Sequence, residues 1–164
     1  MRAAQHFLLT FILLTTTQAV FAQESYNHLK ALKDPVSISL QDGSKVWLNK
    51  NATLGYPSDF SAKQKQMELS GEAFFQMGSK PKAKEIKLAG VIIYPSPLTQ
   101  FNVNAGDSSI IVTSVKTDVS FRCNGKTYIV KRGEEAIITN QRDVNIRPWK
   151  NIDDIENWRK TKRQ

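Results

Sequence analysis

Residues that carry nucleophilic and metal chemistry are scarce in this sequence. Its 164 residues include one cysteine, Cys123, and two histidines, His6 and His28. A single cysteine excludes an intramolecular disulfide framework and a zinc site built from several cysteines. A catalytic triad or a Cys–His pair would need a histidine as its base. We expect the segment with His6 to be removed, and the remaining His28 lies in a polar lead next to Asn27, a poor position for a catalytic base. We therefore predict no catalytic residue, no metal site and no cofactor.

Cys123 itself has two interpretations. Its alternation with Val119 and Phe121 favours a small buried side chain on a strand. A reactive or intermolecular thiol is the alternative, because an odd cysteine in an exported protein can pair outside the chain.

Acidic residues leave one enzymatic alternative open. Two carboxylates about 5 to 9 Å apart would suffice for glycoside hydrolysis. No motif singles out a pair, and the sequence has no calcium-binding loop, phosphate-binding loop or nucleophile elbow. We therefore predict that the chain is not an enzyme. The acidic residues available to the alternative are Glu68, Glu72, Asp107, Glu134 and Glu135.

Long apolar runs are also missing. The run Phe7–Leu14 is well short of the ~20 apolar residues that a membrane-spanning helix needs, and Thr15–Gln18 interrupts it. Val20 and Ala22 are placed as signal peptidase requires. The pattern predicts a signal peptide over residues 1–22, with an uncleaved anchor as the alternative. After cleavage we expect a periplasmic or secreted protein without a transmembrane helix.

Positive charge is in excess, with 23 lysines and arginines against 15 acidic residues. Lys80, Lys82, Lys84 and Lys87 are predicted to lie in one loop, and more basic residues follow at the C-terminus. Such a surface serves solubility or meets an anionic envelope partner. We do not predict nucleic acid as a partner. We expect the protein to be exported, and its lysines and arginines do not alternate with aromatic residues in the sequence.

Alternation of apolar and polar residues dominates the rest of the chain. Residues 86–146 contain 16 valines and isoleucines, which favour strands over helices. Asp42-Gly43 and Asn124-Gly125 separate alternating runs, as in type I′ hairpins. The sequence predicts an all-β fold, a sandwich- or solenoid-like array of short antiparallel strands, over residues 36–148.

Short segments flank this β domain. Residues 23–35 form a polar lead, for which we expect one or two helical turns ended by Pro35. For residues 149–164 we predict a helix that Asn151 caps and that has Ile155 on its apolar face. We expect its basic C-terminal end to be solvated.

Four segments carry a resemblance to a known family. Leu40–Asn49 (LQDGSKVWLN) is similar to the pattern LPDGSxVWLN. Leu54–Phe75 contains the patterns LxYPxxF and LxGEAxF with the family's residues and spacing. Phe101–Ala105 and Val130–Ala136 resemble the later elements FNV and LxPGEQA. On these motifs the chain resembles the periplasmic domain of the FecR family of iron-dicitrate-type signalling regulators. The matching positions, which we interpret as mainly structural, are Asp42, Gly43, Trp47, Leu48, Asn49, Tyr56, Pro57, Phe60, Leu69, Gly71, Glu72, Ala73, Phe75, Phe101, Val103, Gly133 and Glu134.

The motif residues themselves have simple structural interpretations. Asp42-Gly43 and Gly71 suit turns, because glycine adopts backbone conformations that other residues avoid. We expect Glu72 to accept hydrogen bonds from backbone N–H groups. We expect the aromatic residues Trp47, Tyr56, Phe60, Phe74 and Phe75 to lie in the core.

The resemblance implies a non-enzymatic interaction module of envelope signalling. Its implied partner is an envelope protein, such as the signalling domain of an outer-membrane TonB-dependent receptor. The chain departs from the family in the segment Tyr94–Gln100, where two prolines remove strand hydrogen-bond donors. We predict an irregular exposed stretch there, with Leu98 and Gln100 as candidate partner contacts. The alternative is a carbohydrate- or cell-wall-binding module on the same scaffold.

Overall fold

The computed structural model describes residues 26–59, 65–150, 155 and 157–159. These residues form thirteen strands, and Ile155 and residues 157–159 are helical. The predicted all-β fold with a short C-terminal helix is confirmed. In the described part of the chain, no helix has the length and apolarity needed to cross a membrane. The strands are β1 (Tyr26–Lys30), β2 (Val36–Ser39), β3 (Lys45–Leu48), β4 (Thr53–Pro57), β5 (Gln66–Gln76), β6 (Glu85–Leu88), β7 (Val91–Tyr94), β8 (Gln100–Ala105), β9 (Ser109–Lys116), β10 (Val119–Cys123), β11 (Lys126–Val130), β12 (Glu134–Thr139) and β13 (Val144–Pro148).

The long strand β5 belongs to two sheets. Its first half pairs with β4 and β6, and the first sheet has the order β11-β10-β7-β6-β5-β4-β1. Its second half, from Gly71 onward, pairs with β8 and then β3. The second sheet has the order β2-β3-β5-β8-β9-β12-β13. Gly71 therefore lies where the chain passes from one sheet to the other.

One apolar core includes buried residues from both sheets, which is a sandwich-like arrangement. The Phe75 and Phe101 rings of the second sheet stack with centroids 5.0 Å apart. Phe121 of the first sheet is fully buried and stacks on Tyr128. Cys123 is 1 % exposed in the same core, as its alternation with Phe121 predicts.

One pair of strands departs from the predicted antiparallel array. β5 and β6 run parallel, with Gln66 opposite Glu85. Parallel neighbours need a crossover connection rather than a tight turn. Here the chain leaves the second sheet at the end of β5 and crosses through residues 77–84 to the first sheet. No short-range turn signal in the sequence could have indicated this pairing.

The expected helical turns before Pro35 are not formed, because Tyr26–Lys30 is strand β1. β1 pairs antiparallel with β4, and the Tyr26 hydroxyl donates to the Gln66 carbonyl at 2.9 Å. Pairing with a neighbouring strand thus overrides the weak local preference of a polar segment. Residues 1–25, which include the predicted signal peptide, lie outside the described residues.

The two predicted type I′ hairpins have different turns. Asn124 and Gly125 both have positive φ, 49° and 75°, which confirms the type I′ geometry between β10 and β11. At the other hairpin Gly43 has φ 79° but Asp42 does not have positive φ. There Gly43 N–H donates to the Leu40 carbonyl at 3.1 Å and Leu40 N–H to the Ser44 carbonyl at 2.8 Å. This is a three-residue turn ending in a left-handed glycine, so the type I′ prediction is wrong at this position.

The C-terminal helix packs against the outer face of the second sheet. Ile155 is buried, and the Arg159 guanidinium lies 3.8 Å from the Phe74 ring centroid and 4.9 Å from that of Trp47. The expected solvated basic end is therefore wrong for Arg159, because two aromatic rings offer it a cation–π contact. Asn151 and residues 160–164 lie outside the described residues.

Candidate functional site

Hydrogen bonds bring turns from three parts of the chain together. We call residues 40–44, 77–84 and 95–99 the turn cluster. Asp42 joins two of them, because its carboxylate accepts from Ser44 N–H at 2.9 Å and Lys82 N–H at 2.7 Å. Gly78 N–H donates to Ser44 Oγ at 3.0 Å. A Cβ on Gly78 would lie 2.3 Å from the Asp42 carbonyl oxygen, so only glycine allows this approach.

The proline-containing segment is the third part of the turn cluster. Leu98 N–H donates to the Gly78 carbonyl at 3.1 Å, and Met77 N–H donates to the Thr99 carbonyl at 2.9 Å. Thr99 is fully buried between these contacts, whereas the Leu98 side chain is 54 % exposed. Leu98 also has φ 59°, a left-handed conformation that is uncommon for leucine. The backbone is therefore fixed while one apolar side chain faces solvent.

The segment is less open than the sequence suggested. Residues 95–99 are irregular, but Thr99 is buried and Gln100 begins strand β8. Gln100 is half-buried opposite Gln76, next to a register shift between β8 and β9. Of the two candidate contacts, Leu98 is thus the more accessible.

Exposed lysines lie in the same turn cluster as Leu98. Lys80, Lys82 and Lys84 are exposed in residues 77–84, as expected. Lys87 is not part of this loop, because it lies on β6 with its ammonium 3.8 Å from the Glu85 carboxylate. The cluster therefore combines an exposed aliphatic side chain with positive charge.

Gly71 and Glu72 form the corner of β5. Gly71 has φ 85°, and a Cβ there would lie 2.9 Å from Ala52 Cα. The Glu72 carboxylate accepts from Asn49 Nδ2 at 2.7 Å and from Asn102 Nδ2 at 2.9 Å. The prediction that backbone N–H groups are its partners is wrong: they are two side-chain amides. Glu72 thus links β5 to the residue after β3 and to β8.

Most other family-motif positions are buried or lie in a turn. Phe74 and Phe75 are fully buried, whereas Trp47 and Tyr56 are only half-buried, and Phe60 lies outside the described residues. Glu134 closes its own turn, with its N–H on the Lys131 carbonyl and its carboxylate accepting from Lys131 N–H at 3.0 Å. Gly133 has φ 84° in the same turn. The further motif positions that are buried are Leu48, Pro57, Leu69, Ala73, Phe101 and Val103.

Sequence reasoning missed Asn102 as a partner of Glu72. Asn102 is 4 % exposed, which is unusual for an amide side chain on a sheet. The signal was present in the segment FNVNA, where polar Asn102 stands between two core residues, Phe101 and Val103. Among the described residues, no cluster of histidine, cysteine and carboxylate side chains could hold a metal ion.

Comparisons with known proteins agree with the motifs and the fold. Two crystal structures of proposed anti-sigma factors from Parabacteroides distasonis are similar to this chain, with TM-scores of 0.73 and 0.72 at 19 % and 18 % identity. The matches cover 84 % and 82 % of this chain, but only 66 % and 65 % of those chains. No curated protein matches the sequence. The sequence model of the family described as FecR protein matches residues 32–120, over half of the chain, and this protein therefore belongs to the FecR family.

Proposed function

We propose that this protein is a non-enzymatic envelope signalling module that acts by binding another protein. The observation that carries the proposal is the family match over residues 32–120. It spans β2 to β9 and the start of β10, and thus most of both sheets and the turn cluster. Membership of this family supports a regulatory rather than an enzymatic role.

The proposal includes a location and a partner class. Residues 1–22 carry the pattern of a signal peptide, which would deliver the domain to the periplasm or the exterior. The partner we propose there is an envelope protein, such as the signalling domain of a TonB-dependent receptor. These two points rest on the leader sequence and on the family resemblance.

The turn cluster is the contact surface that we propose. A partner that covers Leu98 gains apolar burial without first ordering the loop, because hydrogen bonds to Gly78 and Thr99 already fix the backbone. The exposed lysines of residues 77–84 favour a partner with negative charge and raise the association rate in a salt-dependent way. Gln100, half-buried at the start of β8, lies at the edge of this surface.

A pair of matched variants tests the proposal. Leu98→Ala removes an aliphatic side chain that is 54 % exposed, and Ile129→Ala removes one that is 58 % exposed on β11. Each tagged full-length protein is expressed in its own cells, crosslinked in the envelope and captured, and bound proteins are quantified by mass spectrometry. We expect one envelope receptor to be enriched with wild type and Ile129→Ala, and its recovery to fall about tenfold with Leu98→Ala.

The melting curves of both variants should match the wild type, since neither side chain is in the core. Equal recovery with both variants would contradict the contact surface. Absence of any enriched protein, together with specific binding on a glycan array, would replace the proposal by the carbohydrate- or cell-wall-binding alternative.

A further inference from the structure

A polar cavity of about 410 Å³ lies on the outer face of the second sheet. This volume is within the ~300–1,000 Å³ range of small-molecule sites. Strands β5, β8, β9, β12 and β13 supply its floor, and the chain after β13 contributes Trp149, Lys150 and Ile155 to its walls. The cavity is distinct from the turn cluster, since the two share no residue.

Strand register explains why polar side chains gather there. Asn102, Thr113, Glu135 and Arg147 are successive cross-strand partners, so they form one row on the same face of the sheet. Phe74 and Trp47 continue this row beyond Asn102, and Arg159 covers both rings. Residues two positions along, such as Glu72 and Asn104, form a second row on that face. The result is a mainly polar floor beside Phe74, and Ile111, the partner of Asn104, is its apolar member.

One buried polar atom on this floor has no partner among the described residues. Asn102 Nδ2 donates to Glu72 Oε1 at 2.9 Å, but Asn102 Oδ1 accepts no hydrogen bond. Rotating the amide by half a turn would only place its oxygen against the carboxylate oxygen of Glu72. Buried carbonyl oxygens in folded proteins are nearly always paired, so an unpaired one in a cavity wall indicates a missing hydrogen-bond donor.

The charges around the cavity favour a neutral ligand. Two carboxylates, Glu72 and Glu135, are balanced by Arg147 and Lys150. Glu135 and Arg147 already pair with each other at 2.8 Å. An anion or a cation would therefore gain little net attraction from these four groups.

We propose that this cavity binds a neutral polyhydroxylated ligand, such as a sugar unit of a free saccharide or an envelope glycan. Hydroxyl groups both donate and accept, so they suit the mixture of amides, carboxylates and Thr113 on the floor. A hydroxyl can supply the donor that Asn102 Oδ1 lacks. Trp149 and Ile111, which are half-buried, offer apolar surface to the C–H face of a sugar ring. The site goes beyond the proposed protein-binding function and does not depend on it.

NMR of the full chain labelled with nitrogen-15 tests the site directly. The probes are glucose, N-acetylglucosamine, cellobiose and chitobiose as free saccharides, and soluble peptidoglycan fragments as envelope glycan. Sodium phosphate and sodium glutamate are ionic comparators. We expect at least one sugar probe to shift the side-chain amide signals of Asn102 and Asn104 saturably, and the ionic comparators to leave them unchanged. A stronger response to peptidoglycan fragments than to free saccharides would assign the site to an envelope glycan.

Two asparagines on the same face of the second sheet provide a matched pair of variants. Asn104→Ala alters the cavity, whereas Asn145→Ala alters an exposed position on β13 outside it. We expect the Kd for the best sugar probe to rise about tenfold in Asn104→Ala and to stay constant in Asn145→Ala. If Asn104→Ala does not fold, Thr113→Val keeps the side-chain shape and should show the same loss.

Three outcomes would overturn the site. They are no response to any sugar probe, a response to phosphate or glutamate at these same amides, and equal weakening by Asn104→Ala and Asn145→Ala. None of these outcomes changes the result expected from the Leu98→Ala experiment, because that experiment measures binding of a protein through a different surface.

Discussion

Glu72 shows how one side chain of a family motif can hold three parts of the second sheet together. Its two carboxylate oxygens accept from Asn49 and Asn102, and its carbonyl accepts from Asn49 N–H at 2.9 Å. Hydrogen bonds to a charged acceptor are stronger than those between neutral groups. Truncating Glu72 would leave two amide donors without an acceptor in a half-buried region.

Glu72→Ala should therefore lower the free energy of unfolding by about 2 kcal/mol. Urea denaturation of the purified protein measures this change. Glu68→Ala is the matched control, because Glu68 is an exposed glutamate on the same strand and should change stability by less than about 0.5 kcal/mol. Equal free energies of unfolding for the two variants would mean that the Glu72 hydrogen bonds do not stabilise the fold.

At the scale of single residues, the sequence predicted which side chains are buried better than it predicted their hydrogen-bond partners. The burial of Phe75 and Cys123 follows from alternation along a strand, which is a local property. The partners of Glu72 lie 23 and 30 residues away, and only the register of β5 with β8 and the approach of Asn49 bring them together. The family motif singles out the position of Glu72, but it does not indicate which residues donate hydrogen bonds to its carboxylate.

Strand β5 is the element on which the two-sheet architecture depends. Gly71 supplies a left-handed backbone at the point where β5 changes partners, and it also packs against Ala52. Gly125 has a similar φ, 75°, but a Cβ there would meet nothing within 4 Å. The two glycines therefore share the conformational requirement and differ in the space around them.

Gly125→Ala should cost about 1 to 2 kcal/mol of folding stability, from the left-handed backbone alone. Gly71→Ala should cost at least ~1 kcal/mol more, because its Cβ would contact Ala52 Cα at 2.9 Å. Thermal melts of the two variants under one set of conditions give the difference. A Gly71→Ala protein as stable as Gly125→Ala would contradict the close packing at this corner.

Among the elements, hairpins were predictable and sheet partners were not. Asn124-Gly125 sets its own turn, so β10 and β11 follow from the sequence. The parallel pairing of β5 with β6 and the strand β1 depend on distant segments. Pairing between distant segments is set by packing of the whole chain, which local propensity does not describe.

At the scale of the molecule, the fold separates two surfaces with different chemistry. The turn cluster has an exposed Leu98 and three exposed lysines, whereas the outer face of the second sheet has a polar cavity of balanced charge that includes Asn102. The resemblance to the FecR family in the sequence indicated the fold and the class of role. It did not indicate the cavity, because that face depends on the alignment of five strands.

Site-specific photocrosslinking in living cells is the most direct test of the central claim, that this domain binds an envelope protein through the turn cluster. A photoreactive phenylalanine derivative would replace Leu98 in one strain and Ile129 in another, and crosslinked products would be identified by mass spectrometry. We predict one discrete crosslinked product from position 98, containing an envelope receptor, and none from position 129. The same product from both positions, or no protein product from position 98, would contradict the account.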